Sequence, residues 1–176
     1  FIVLATQNPI EYEGTYPLPE AQMDRFLIKL SVGYPDEDVE TGILEGRSKR
    51  KKDSFSVKPR ATPDTVVEMH DSIEEVFVKK EVMRYIVDLV QSTRRDPRVA
   101  VGSSPRGSLG LFKLSRALAV LSGRDYVVPD DVKRAAIPVL GHRIILKPEA
   151  RIRGVNVEEV IGELLMTVQV PAVTVE

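Results

Sequence analysis

Two short apolar runs, Phe1-Ile2-Val3-Leu4-Ala5 and Phe26-Leu27-Ile28-Lys29-Leu30, constrain the fold more than any other feature of the chain. Strands this apolar are typical of a parallel sheet covered on both faces, where neither side of the strand meets water. Two strands cannot build such a sheet. The chain also opens on Phe1 rather than Met, already inside the first run. The expectation is an α/β remnant, two strands of a parallel sheet, belonging to the C-terminal portion of a longer protein.

From Pro63 onward the pattern is helical, behind a mixed N-terminal part. Residues 1 to about 35 give strand, polar loop, a short helix around Glu20 to Asp24, and strand. Pro35-Asp36-Glu37-Asp38 opens a helix with Val39, Ile43 and Leu44 as its apolar side, and Arg47, Lys49, Arg50, Lys51 and Lys52 follow at its C-terminal end, matching the macrodipole. Ser54 to Pro63, with two prolines and scattered charge, is expected to be a linker. Further helices are predicted over Asp64 to Ile73, Lys79 to Arg94, Gly107 to Ser122 and from Pro129 to near Gly141, with a last amphipathic helix over Val157 to Thr167. Val76-Phe77-Val78 and Ile144-Ile145-Leu146 read as short extended pieces, and 95–104 as a loop. The expected division is residues 1–53 as core, 54–63 as linker, 64–150 as helical domain and 151–176 as C-terminal helix and tail.

Composition excludes several classes. With 25 Lys and Arg against 26 Asp and Glu, net charge gives no argument for nucleic acid or an anionic membrane. No cysteine is present, which removes disulfides and thiolate metal sites, and His70 and His142 lie too far apart for a local metal motif. No apolar run approaches the ~20 residues of a membrane helix, and no signal-peptide pattern opens the chain, so a cytoplasmic protein is expected.

Three residues could carry chemistry. Asn8 follows the carboxyl end of the first apolar run, where ligands of open α/β sheets bind. Its amide could donate to a terminal phosphate oxygen while accepting from an attacking water. The alternative is a turn asparagine, because Asn-Pro commonly starts turns. Arg25 precedes the second apolar run and could reach a neighbouring subunit's phosphate; the alternative is a surface or salt-bridged arginine. Arg106 follows Ser104, a good N-cap, and Pro105, which suits the first helical position. A cation there opposes the helix dipole, but beside free amides it would clamp a phosphate. Its alternative is a solvent-facing arginine paired with Asp96. The basic run Arg47 to Lys52 reads as a solvated helix end rather than a nucleic-acid patch, His70 and His142 as structural or surface residues, and Ser103 and Ser104 lack a base at a recognisable spacing.

Thr6-Gln7-Asn8-Pro9 and Glu13-Gly14-Thr15-Tyr16-Pro17-Leu18-Pro19-Glu20-Ala21-Gln22-Met23-Asp24-Arg25-Phe26 resemble the corresponding region of MoxR-type AAA+ ATPases. Gly102-Ser103-Ser104-Pro105-Arg106-Gly107-Ser108 and Gly123-Arg124-Asp125-Tyr126-Val127-Val128-Pro129-Asp130-Asp131-Val132 support the same resemblance. It implies two strands of a parallel P-loop-type sheet followed by an all-α helical lid domain. Residue by residue, Asn8 resembles the sensor 1 residue, Arg25 the arginine finger and Arg106 the sensor 2 arginine. The family's members are ATP-driven, Mg²⁺-dependent, chaperone-like rings, often hexamers. They work with von Willebrand A domain proteins to remodel complexes or insert metals and cofactors.

One departure is large. No Gly-x-x-x-x-Gly-Lys-Ser/Thr loop occurs in the chain, so the phosphate cradle and the acidic Mg²⁺ site of the family are expected upstream of Phe1. These 176 residues alone are therefore expected to be inactive, and their two strands either separated by a gap or artificially paired. A catalytically silent interaction module, a metal-chelatase subunit or a DNA helicase remain as alternatives.

Overall fold

The computed structural model describes residues 2–7 and 18–171. Among them the helices are α1 Glu20–Met23, α2 Glu37–Arg50, α3 Pro63–Glu74, α4 Lys80–Arg95, α5 Pro105–Leu121, α6 Pro129–Leu140, α7 Pro148–Ile152 and α8 Val157–Thr167. Two short strands, β1 Val99–Val101 and β2 Ile145–Leu146, pair antiparallel with Val99 opposite Leu146.

The core belongs to α4, α5, α6 and α8. Helix α4 buries Val82, Tyr85, Ile86, Leu89, Val90 and Thr93, a single stripe at helical spacing, while its other positions face water. Helix α6 answers with Val132, Ala135, Ala136, Val139 and Leu140, and α8 with Val160, Ile161 and Leu164. Leu111 of α5 lies fully buried between them. Helices α5 and α6 share the most extensive contact, α3 packs on α5, and α8 closes against α4 and α6. Gly110 permits the close approach of α5 to α6: a Cβ there would stand 2.8 Å from Val139 Cγ1, inside contact distance.

Helix boundaries follow their caps. Thr62 and Ser104 cap α3 and α5 with proline in the next position. Asn156 and Glu159 form a reciprocal capping box on α8, with Glu159 N donating to Asn156 Oδ1 at 2.7 Å and Asn156 N to Glu159 Oε2 at 3.3 Å. Helix α5 stops at Gly123, whose φ of +70° suits glycine. There Arg124 N donates to Ala119 O and Gly123 N to Val120 O, both at 2.9 Å, which satisfies the orphan carbonyls.

Ion pairs join the pieces. Asp131 of α6 accepts both Arg124 guanidinium nitrogens at 2.7 and 2.8 Å and also takes Val128 N–H at 3.0 Å. That hydrogen-bonded carboxylate raises the Arg124 pKa and holds the guanidinium charged. Arg98 bridges Asp96 and Glu163, both contacts near hydrogen-bond length at 2.8 and 2.7 Å, fastening the start of β1 to α8.

The fold differs from the sequence expectation in four places. The mostly helical chain carries a small antiparallel sheet, and the parallel remnant is absent among the described residues. Residues 2–5 and 26–30 form no strand and do not pair with each other. A strand needs ladder partners for its amides and carbonyls. Here Lys29 N instead donates to Pro138 O of α6 at 2.9 Å, and Ile2, Val3 and Leu4 are exposed. Phe1 lies outside the described residues. Helix α2 forms with its acids first and cations last, yet Val39, Ile43 and Leu44 are exposed and the helix buries nothing. The expected 95–104 loop contains β1, and α7 was not anticipated.

Candidate functional site

The N-terminus of α5 is set in place by the end of α4. Thr93 is buried, and its hydroxyl accepts Ser103 N–H at 3.0 Å, while Arg94 Nε donates to Ser103 O at 2.8 Å. Gly102 makes this approach possible, since a Cβ there would lie 2.7 Å from Arg94 Cα. Ser104 then caps α5, its Oγ accepting from Arg106 N at 3.2 Å. Ser103 is buried, and the Ser104 hydroxyl caps α5 while it donates toward the Asp24 carboxylate.

Asp24, at the C-cap of α1, is the carboxylate against which this end of α5 rests. Arg106 Nη1 donates to Asp24 Oδ2 at 2.8 Å, and the Ser104 hydroxyl lies 3.3 Å from both Asp24 oxygens. Arg143, in the turn between α6 and β2, approaches from the other side with its side chain only 2% exposed. Its Nε stands 3.2 Å from Asp24 Oδ1 in an ion-pair contact that lacks hydrogen-bond alignment. Its terminal nitrogens donate to the carbonyls of Asp24 and Leu27 at 3.2 Å each, and also to those of Phe26 and Val139. Neighbouring His142 bonds Phe26 O through Nε2 at 3.2 Å.

The electrostatics follow from these contacts. Partial burial pushes the Asp24 carboxyl up, but the Arg106 hydrogen bond, the Arg143 charge and the Ser104 hydroxyl outweigh it and leave the pKa below the usual aspartate value. Asp24 is therefore ionised at neutral pH. Burial, followed by the Arg143 charge, lowers the His142 pKa, against which the bond to Phe26 O acts only partly. Burial also lowers the Arg143 pKa, and Asp24 opposes the shift. Two guanidinium groups, those of Arg106 and Arg143, thus stand against one carboxylate.

Arg106 sits in the first turn of α5 as expected, but its partner is Asp24 rather than Asp96. Asp96 is taken by Arg98, whose backbone and side chain both donate to it. Arg25 follows Asp24 in the turn after α1 and is exposed. The structure thus brings the Arg25 turn to the N-terminus of α5. Asn8 lies outside the described residues. Asp24, His142 and Arg143 were missed as site residues. A signal existed for Arg143, a charge set between the apolar runs Val139-Leu140 and Ile144-Ile145-Leu146, which demands a buried counter-charge.

The residues present suit phosphate better than metal. Arg106 is 55% exposed on its side chain and has no acid in its first turn, while the Arg106 and Gly107 amides are taken up by Ser104. Among the described residues no cluster of His, Asp or Glu could hold a metal ion.

Residues 91–164 match the family model described as AAA lid domain, and residues 1–28 match the one for the ATPase family associated with various cellular activities. A crystal structure from Cytophaga hutchinsonii, described as a "putative ATPase", superposes with TM-score 0.86 at 36% identity over 97% of this chain and 54% of that one. These matches define an AAA+ ATPase segment bearing its lid. Chaperone MoxR1 of Mycobacterium tuberculosis is 40% identical over 98% of this chain and 48% of its own length. The uncharacterized protein YeaC of Bacillus subtilis is 43% identical over 97% of this chain and 53% of its own. The chain belongs to the MoxR family of AAA+ ATPases and spans about half the length of these curated relatives.

Proposed function

We propose that this chain is the nucleotide-sensing end of a ring ATPase that couples ATP binding and hydrolysis to chaperone-like remodelling of client complexes, including insertion of metals or cofactors. AAA+ ATPases form oligomeric rings and use ATP with Mg²⁺. For this chain the ring is proposed to be a hexamer, the partner a von Willebrand A domain protein and the setting the cytoplasm. No helix among the described residues is long and apolar enough to cross a membrane.

The observation that carries the reading is the meeting of Arg106, at the start of α5, with Asp24, the residue next to Arg25. In the proposed roles Arg106 binds nucleotide phosphate, Arg25 stabilises charge on a neighbouring subunit's transferring phosphoryl group, and Asn8 positions the attacking water. Residues 1–53 form part of the ATPase core, 54–63 a linker and 64–150 the lid, followed by a C-terminal helix and tail over 151–176. Mg²⁺ would be held by residues outside this chain. The 176 residues alone are proposed not to hydrolyse ATP, and turnover by the purified chain would refute that.

Arg25→Ala in the full-length gene product tests the reading. Fingers of this kind supply about 10³–10⁵ in rate. The expected result is a kcat loss within that range with nucleotide affinity retained. Unchanged turnover would remove Arg25 from the mechanism, and loss of nucleotide binding itself would assign it a different role.

A further inference from the structure

We infer that Arg143 is the positioning residue for Arg25, fastening the turn that carries the finger to the lid. This inference rests on the proposed role of Arg25. Arg143 takes carbonyls on both sides of that residue, at Asp24, Phe26 and Leu27, and its Nε also lies against the Asp24 carboxylate. A guanidinium has a rigid fork of donors, so several acceptors held at once fix direction as well as distance. Nη1, which bonds Leu27 O, also donates to Val139 O in the last turn of α6. One buried group therefore joins the α6 end to the Arg25 turn.

Two further contacts act in the same direction. His142 Nε2 bonds Phe26 O, and Lys29 N donates to Pro138 O at 2.9 Å. The side chain of Arg25 itself is exposed and free to project outward, while the backbone around it is gripped. Lid orientation and finger placement then form one motion. Any rotation of α6 carries the Arg25 turn with it, and Asp24 links that motion to Arg106 on α5 through their ion pair.

The test is a double-mutant cycle in the full-length gene product, combining Arg143→Lys with Arg25→Ala. Lysine keeps the charge but cannot reach four carbonyls at once. Displacing a reacting group by about 1 Å can cost on the order of 10²-fold in rate. The expected result is a kcat loss of that order for Arg143→Lys, with nucleotide affinity within about twofold of wild type. Active sites are counted by titration with a fluorescent ATP analogue, so that unfolded protein does not enter kcat.

In the Arg25→Ala background the same substitution should cost nothing further. A merely structural role would lower activity equally in both backgrounds, and that additive result would overturn the inference, as would full activity of Arg143→Lys. Full turnover of Arg25→Ala alone would instead refute the finger reading, a failure visible in a different variant. Should Arg143→Lys not fold, Arg143→Gln carries the same cycle, since its amide donates to fewer of the carbonyls and leaves the Asp24–Arg106 pair in place. Its loss should again vanish without Arg25, and persistence would overturn the inference.

Discussion

Acidification from pH 7.5 to 5.5 should loosen the packing of residues 26–29 on α6, and His142 is the group responsible. Its Nε2 faces a carbonyl oxygen, Phe26 O, so the neutral ring carries its proton there. That leaves Nδ1 buried as an acceptor without a partner. Protonating it would create a buried donor with no acceptor, beside the Arg143 charge, while Lys29 adds further repulsion and Asp24 only partly offsets it. The folded pKa therefore lies below the ordinary 6.5. The unfolded chain binds a proton first, so stability is flat above 6.5 and falls as pH drops below it, until the folded pKa is reached. If the folded ring stays neutral, the loss between pH 7.5 and 5.5 has a ceiling of about 1.4 kcal/mol. The depressed carboxylates Asp24 and Asp96 do not interfere, because their contributions are lost only below the ordinary aspartate value of 3.8. Urea denaturation of wild type and His142→Gln at both pH values measures the effect, since glutamine can still donate to Phe26 O. The variant should lose the difference between the two pH values. An equal loss in both proteins, or a gain on acidification, would refute the reasoning.

Three further substitutions probe the core and caps by chemical denaturation. Asp131→Ala leaves Arg124 without its carboxylate and Val128 N–H without an acceptor. Such a break costs about 3–5 kcal/mol, and the low end is expected because Arg124 remains 23% exposed and keeps Tyr126 O at 2.9 Å. Leu111→Ala empties a site with no solvent exposure between α5 and its neighbours and should cost about 2–5 kcal/mol. Ser104→Ala removes the α5 cap and one donor to Asp24, for a loss of about 1 kcal/mol. No loss in the last variant would show that water replaces the cap without penalty.

What was legible in the sequence was local. Ser104-Pro105, Pro129-Asp130-Asp131 and Gly123 mark helix ends by chemistry confined to a few residues, and the observed bounds of α5 and α6 follow them. The apolar runs at 1–5 and 26–30 suit strands, but a strand exists only with partners, and the described parts of these runs find none in this chain, in line with the expected gap. Strand β1 escaped notice for the same reason, since Val99 meets its partner at Leu146, far along the sequence. Arg106 could be placed on its helix, but its counter-ion lies 82 positions away, and Arg143 reaches Asp24 O across 119. Asp96, ten residues from Arg106, offered the nearer match and was already satisfied by Arg98.

Arg143 grips peptide oxygens at four residues and lies against one carboxylate, and among the described residues it makes no hydrogen bond to a side chain. A latch that reads main chain is indifferent to what hangs from it. Residues 26 and 27 can drift in identity without loosening the hold, provided the backbone path is kept. Any selective demand for the latch therefore falls on the single arginine and on Asp24, and a mutational scan of residues 24–27 should find tolerance at 26 and 27 but not at Asp24 or at Arg25 itself.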